Sequence, residues 1–227
     1  MMDKNCFHEE DKLYCYPGTM VLKNKLGIHD ENKLEAAEGA IVTLRVAELF
    51  KDGIKGRFDF RHLKSIHYYL FHDVYEWAGK ERFVDMAKGH IFCPYQNIDE
   101  QAKIIFEDLR EQNYFLDYDY NKTMNSLIKL FTEINALHPF REGNGRTQRE
   151  FTEELAKING ICLDLTKIRK DEMIEASFKA INNDYEMLTR LFLENAEEKL
   201  EKKEEWQDKY MEEMLYIRCH VKKKSHR

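Results

Sequence analysis

Between His138 and Arg149 the chain gathers one histidine, one carboxylate (Glu142), a Gly-Asn-Gly turn (Gly143, Asn144, Gly145) and two arginines three apart (Arg146 and Arg149). Each of these types has a use where phosphate is handled. Glycines on both sides of Asn144 free the backbone for conformations that wrap an anion. A helix expected to begin about Arg146 turns its free amides and positive dipole end toward that turn. Basic residues there oppose the dipole, and a polyanionic ligand offsets that cost. Arg146 and Arg149 project from one helix face. Glu142 stands where it could hold a divalent cation, since magnesium commonly takes one or two carboxylates together with phosphate oxygens. His138, across the turn, could take a proton from an attacking hydroxyl. Singly, each has a bland reading: a helix-end histidine, a surface carboxylate, an Arg149 paired with Glu150 or Glu153. Together they spell phosphoryl or nucleotidyl transfer.

These residues need elements to hold them. Apolar residues three or four apart predict helices over 34–50, 60–77, 97–113 and 120–137, the last running into His138. Pro139 ends that helix by lacking an amide donor and constraining its predecessor. Further helices are expected over 146–158, over 170–181 and from about Tyr185. Residues 1–32 read as an irregular arm with a turn at Tyr16-Pro17-Gly18, and Asp30 and Asn32 are candidate helix caps. Apolar and polar residues alternate around a Lys88-Gly89 turn, which predicts a short hairpin over 83–93. After Glu194 a charge run predicts a solvated helix bearing a Trp206, Tyr210, Met214 and Ile217 stripe, followed by a basic tail to residue 227.

With 227 residues, 43% hydrophobic and 34% charged, the chain is long enough for one domain with a real core. A net charge of -6 argues against a nucleic-acid binder. The five cysteines are scattered without a CxxC pair, as expected of reduced thiols rather than a disulfide framework or zinc site. No apolar leader and no apolar run of membrane length occurs, so no membrane contact and a cytoplasmic location are expected.

The segment HPFREGNGRTQR resembles the signature of the Fic family, HPFx[D/E]GNGRxxR, at His138, Pro139, Phe140, Glu142, Gly143, Asn144, Gly145, Arg146 and Arg149. YPGTMVLKNKLGI (16–28), FHDVYEWAGKER (71–82) and the Lys88-Gly89 turn resemble its bacterial cell filamentation branch, so the likeness runs over about 14–195. The resemblance implies an all-α Fic-type helical bundle over 33–195 with a β-hairpin flap; beyond it, the charge pattern leaves a charged C-terminal helix and tail over 196–227. It implies transfer of AMP from ATP, with Mg²⁺ or Mn²⁺, to a Ser, Thr or Tyr hydroxyl of a target protein or of the enzyme itself. His138 would then be the base and Glu142 the metal ligand. Gly143, Asn144 and Gly145 would form the anion hole, and Arg146 and Arg149 would bind the outer phosphates. Met86, Lys88, Gly89 and His90 of the flap would dock the target segment by main-chain pairing.

Relatives that transfer phosphate carry lysine at the position of Gly145, so glycine there favours AMP transfer. Transfer of phosphate, UMP or phosphocholine, or a silent interaction module, are the alternatives. Many members are inhibited by a [S/T]xxxE[G/N] helix whose glutamate engages the second arginine, here Arg149. Only the acidic half occurs, at Glu38-Gly39 and at Glu194-Asn195, and both sites read as helix surface. Glu38 is kept as the candidate inhibitory residue. The expectation is an enzyme active alone or restrained by a separate small antitoxin, with self-association through the C-terminal helix as a further partner reading.

Overall fold

The computed structural model of the chain describes residues 11–88 and 90–212. After a single helical turn, α1 (Asp11–Tyr14), come α2 (Glu31–Asp52) and α3 (Phe60–Phe71). Then follow α4 (Ile98–Glu111), α5 (Tyr120–Leu137) and α6 (Asn144–Ile158). Strand β1 (Ile161–Leu163), α7 (Lys170–Ile181), α8 (Glu186–Glu194), β2 (Ala196–Glu198) and α9 (Lys203–Tyr210) complete the fold. Three aspartates start three of the long helices. Asp30, Asp59 and Asp119 accept from the amides of Lys33, His62 and Lys122, satisfying donors that a first turn leaves open.

Helix α6 is the axis of the bundle, packed against α3, α5, α9 and β1. Phe151, Leu155 and Ile158 join Leu63, Ile66, Leu127 and Phe131 in one core. The helix is unusual in also burying Glu150, Glu153, Glu154 and Lys157. The Lys157 ammonium lies 5.2 Å from the ring centres of both Phe50 and Tyr210, and Leu165 N–H donates to Glu153 Oε1 at 2.7 Å.

Three expectations need correction. The helix expected over 60–77 stops at Phe71, although Val74 and Tyr75 beyond it are buried. The amides of Val74 and Tyr75 both turn back to the Phe71 carbonyl. His72 Nδ1 sits 3.1 Å from the Tyr68 and Tyr69 carbonyls, and Arg45 takes the Asp73 carboxylate. The continued apolar spacing therefore belongs to a packed turn. Second, the hairpin over 83–93 forms a single antiparallel bridge, Ala87 to Ile91, rather than a ladder. Lys88 N–H donates to the His90 carbonyl at 2.9 Å and Phe92 N–H to that of Met86 at 3.1 Å. Gly89, one of the expected docking residues, lies outside the described residues.

Third, the segment after Glu194 is not one solvated helix. β2 pairs antiparallel with β1, Ile161 opposite Glu198. Helix α9 then lies on α6, where Gln207 Nε2 donates to the Ile158 carbonyl at 2.9 Å and Tyr210 and Met211 are buried. Gly56 N–H donates to the Tyr210 carbonyl at 3.0 Å, and Glu212 N–H to Gly56 at 3.1 Å. Residues 196–211 thus belong to the same core, with no break at 195. Met214 and Ile217 of the expected stripe, and the basic tail, lie outside the described residues.

The buried acids carry a pH signature. Burial, then the neighbouring Glu154 and Glu153 carboxylates, pushes Glu150 up to about 8. A carboxyl raised in the folded state contributes stability that is full below its ordinary value of 4.5 and is lost as pH rises through the folded value. Glu150→Gln cannot ionise, so it is expected to melt about 2–6 °C above the parent near pH 8.5 and within about a degree of it near pH 5. Thermal melts at the two pH values check this; an equal shift at both would reject the assignment.

Candidate active site

The loop from His138 to Gly143 joins α5 to α6 and has no backbone ladder of its own, so buried side chains satisfy it. His138 is the C-cap of α5 in the left-handed region (φ 46°, ψ 60°), its amide still bonded to the Ile134 carbonyl. That conformation is costly for a side chain with a Cβ and persists only where neighbours over-determine it. Arg82 is the chief neighbour. It is 2% exposed, and its guanidinium donates to the carbonyls of His138 (2.7 Å), Val84 (2.7 Å), Cys93 and Leu137 (3.4 Å). Its backbone amide donates to the Pro139 carbonyl at 2.8 Å. A cation at the negative end of α5 is favourably placed, and here it also ties both legs of the flap to the histidine.

The imidazole of His138 stacks on Phe92 of the flap, with ring centres 3.7 Å apart and planes 14° apart. Its Nδ1 lies 3.3 Å from the Asn135 carbonyl, an acceptor, so Nδ1 carries the proton and Nε2 keeps a lone pair. Burial drives its pKa down to about 3, which leaves the ring neutral at physiological pH.

Past Pro139 the loop is locked from within. Asn144 Oδ1 accepts from Phe140 N–H at 2.8 Å, and its Nδ2 donates to the Phe140 carbonyl at 2.7 Å. Its side chain is therefore used in holding the loop, and what it can offer an anion is main-chain N–H. Opposite, His67 supports Glu142. Gly79 N–H donates to His67 Nδ1 at 2.8 Å, so Nε2–H must be the donor to the Glu142 carbonyl at 3.0 Å. This ring stacks on Phe140 at 3.8 Å, and its burial lowers its pKa to about 3, which keeps that tautomer uncharged.

Gly143, the N-cap of α6, has φ 83°, and a Cβ there would stand 2.4 Å from the Phe71 ring. Gly145 differs: a Cβ on it would meet nothing within 4 Å. Protein packing requires the first glycine, whereas open space lies over the second. The helix starts at Asn144, two residues before the expected Arg146.

Glu142 is half exposed. Its Oε1 receives Gly143 N–H at 2.8 Å and Arg146 Nη2 at 3.3 Å, and its other oxygen has no partner among the described residues. The Arg146 guanidinium lies over the Phe71 ring, 4.7 Å from its centre. Arg149 is half-buried, donates Nε–H to the Gly145 carbonyl at 3.0 Å, and has no carboxylate partner among the described residues. The expected bland pairing of Arg149 with Glu150 or Glu153 is absent there, because those acids turn into the core.

Glu38 is not helix surface, as expected, but 6% exposed. Its Oε1 lies 2.6 Å from Nη2 of Arg146, not of Arg149, and its Oε2 accepts from the Tyr75 hydroxyl. The reason is the packing of α2 against α3, which delivers Glu38 to the start of α6. Glu194 is surface, exposed and 3.5 Å from Arg190. Of the flap residues, Met86 and His90 are half-buried and Lys88 is exposed. Sequence reasoning gave no role to Arg82, His67, Phe71, Tyr75 or Phe92. Phe71, Tyr75 and Arg82 entered it only within the FHDVYEWAGKER likeness, and His67 left the signal of a histidine at helical spacing on the apolar face of α3.

The two glycines give a paired prediction. Gly143→Ala is expected to destabilise the fold by about 2–3 kcal/mol, from the clash with Phe71 and the positive φ. Gly145→Ala is expected to melt within about a degree of the parent. Denaturant midpoints check both; a destabilised Gly145→Ala would mean that the space above it is not open.

Comparison with known proteins agrees with the local geometry. The profile of the Fic/DOC family matches residues 57–156. The protein adenylyltransferase VbhT of Bartonella schoenbuchensis is 40% identical over 186 residues, 82% of this chain, which spans 39% of that protein's length. The probable protein adenylyltransferase y4lH of Sinorhizobium fredii is 37% identical over 177 residues, covering 77% of this chain and 90% of its own. Among solved structures, BepC, a VirB-translocated effector from Bartonella tribocorum with bound AMPPNP, superposes with a TM-score of 0.79 at 28% identity, over 85% of this chain and 100% of that one. With the motif loop, the helical bundle and these relatives in agreement, the chain belongs to the Fic/DOC family.

Proposed function

We propose that the chain is a protein adenylyltransferase, moving AMP from ATP to a hydroxyl of a target protein. One observation carries the reading: Arg149 is a half-buried guanidinium with no carboxylate in salt-bridge contact among the described residues, Glu153 acting on it only at longer range, at the first turns of α6 beside the open space over Gly145. A cation so placed suits an anion larger than a side chain, and the names of the relatives and the AMPPNP-bound neighbour support a nucleotide as that anion.

In this reading the main-chain amides from Gly143 to Gly145 receive phosphate oxygens at the dipole end of α6, and Arg146 and Arg149 neutralise the outer phosphates. The target hydroxyl loses its proton to Nε2 of His138 as its oxygen bonds to the α-phosphorus. The bond from that phosphorus to the bridging oxygen breaks, and pyrophosphate leaves. Nδ1–H on the Asn135 carbonyl holds the accepting tautomer.

Glu142 fits a Mg²⁺ or Mn²⁺ site. It offers one free carboxylate oxygen beside the phosphate position, and magnesium shared with phosphates commonly takes one or two carboxylates from the protein. Bound there, the ion would neutralise charge building on the leaving pyrophosphate.

Met86, Lys88, Gly89 and His90 are the flap residues proposed to align the target segment, with Phe92 on His138 fixing the flap's height above the base. Arg149, with no carboxylate of its own chain in contact among the described residues, leaves room for one supplied by a separate small inhibitory protein. Among the described residues no helix is long and apolar enough to cross a membrane.

The test is incubation with Mg²⁺ and ATP labelled at the α or the γ phosphate. Label is expected on protein from the α position only. His138→Ala should lower it by about 10²–10⁴-fold while ATP still binds, and Gly145→Ala should lower transfer by more than about tenfold. Label from the γ position alone would make the enzyme a kinase. Because His138 is already neutral far below the ordinary 6.5, the rate is expected to stay flat from about pH 7.5 to about pH 5.5 at saturating ATP. An acid limb near 6.5 would mean that the base is less desolvated than its burial implies.

A further inference from the structure

We propose that Glu38, backed by Tyr75, is the positioning residue for Arg146, and that it serves transfer rather than restraining it. The inference rests on the adenylyltransferase reading of the site and assigns a role within it to two residues outside the motif.

Arg146 is held by three groups. Phe71 lies under its guanidinium at 4.7 Å, Glu38 holds Nη2 at 2.6 Å, and Glu142 touches the same nitrogen at 3.3 Å. All three contacts engage one edge or one face, and Nη1 and Nε have no partner among the described residues. A planar guanidinium anchored on one nitrogen keeps its other donors aimed, which is how arginine serves phosphate geometry.

The anchor is itself fixed. Glu38 sits about two turns inside a 22-residue helix, clear of its first turn, and the Tyr75 hydroxyl donates to its second oxygen. Tyr75 is buried against Trp77, with ring centres 4.3 Å apart, so it cannot withdraw. Burial and the carboxylate beside it raise the phenol's pKa and keep it a donor. Nothing in this arrangement can swing aside, as a releasable brake must. The arginine that the inhibitory pattern would engage, Arg149, is not the one held.

The pair has a second effect, on Glu142. Arg146 and Glu142 lie four apart on the motif and attract each other. With Glu38 compensating the guanidinium at 2.6 Å, the 3.3 Å contact leaves Glu142 half exposed and one oxygen uncommitted. Without Glu38, the same arginine would draw Glu142 away from the position of a cation.

The experiment measures ATP affinity directly, by calorimetry with the full chain and His138→Ala background to prevent turnover, and in parallel the ATP dependence of α-label transfer. Glu38→Gln is expected to weaken ATP binding and raise KM by roughly tenfold, with a smaller change in kcat and a higher Mg²⁺ requirement. Tyr75→Phe should move the same quantities in the same direction by roughly threefold, and Glu38→Asp should recover part of the loss. Faster transfer by Glu38→Gln would make it a brake and overturn the proposal, as would unchanged ATP affinity in both Glu38→Gln and Tyr75→Phe. If Glu38→Gln fails to fold, the ATP affinity of Tyr75→Phe decides. Binding of ATP without α-label transfer by the parent would sink the adenylyltransferase reading alone, since the affinity comparison still tests Glu38. Failure of the parent to bind ATP would overturn both.

Discussion

A buried cation surrounded by carbonyl oxygens holds this site in shape. Arg82 meets the open end of α5, the two legs of the flap and the first residues of the motif loop with one planar group. Those carbonyls have no helix or sheet partner, and orphaned in a dry interior each would be a substantial penalty. Lysine has three donors on a point charge and could not reach four acceptors in a plane. The left-handed backbone of His138 follows from this: its carbonyl must face Arg82, so its ring faces the flap. The orientation of the His138 ring is thus set from 56 residues away in sequence.

Phe71 performs the complementary task from below. Its ring fills the space that a side chain at Gly143 would need, carries the Arg146 guanidinium on its face, and stacks at 4.7 Å on His67. One apolar side chain at the end of α3 therefore sets how closely the glycine turn approaches the bundle and where the first arginine lies. Apolar packing and charge placement are here a single constraint, which is why the motif's neighbours are aromatic.

Legibility in the sequence followed the range of the interactions. The motif residues lie at local spacing, so the histidine, carboxylate, glycines and arginines could be gathered as one candidate site before any fold was known. The helices over 120–137 and 170–181 were readable to the residue, whereas the aspartate-capped α2 and α3 were not. Nor were the supports. His67 reaches Glu142 across 75 residues, and Glu38 looks like one more acid on a helix until α2 is laid beside α6. The chain after Glu194 carries alternating charges that suit a solvated helix, yet pairing with β1 prevails because β1 offers an otherwise open edge. The polar stripe of α6 misleads in the same way: Glu150 and Glu154 look solvated and are buried because α9 and α3 close over them.

The reciprocal bonds between Asn144 and Phe140 have a consequence for the energetics of ligand capture. A loop of this shape would lose conformational entropy on closing around a phosphate, at roughly 1–2 kcal/mol per residue fixed. Asn144, bonded to both main-chain groups of Phe140, stands in for the missing strand partner and freezes the turn while the chain folds. The ordering term is then charged to protein stability rather than to binding. An anion entering the turn meets amides already converged, and the affinity it gains is that of a rigid receptor.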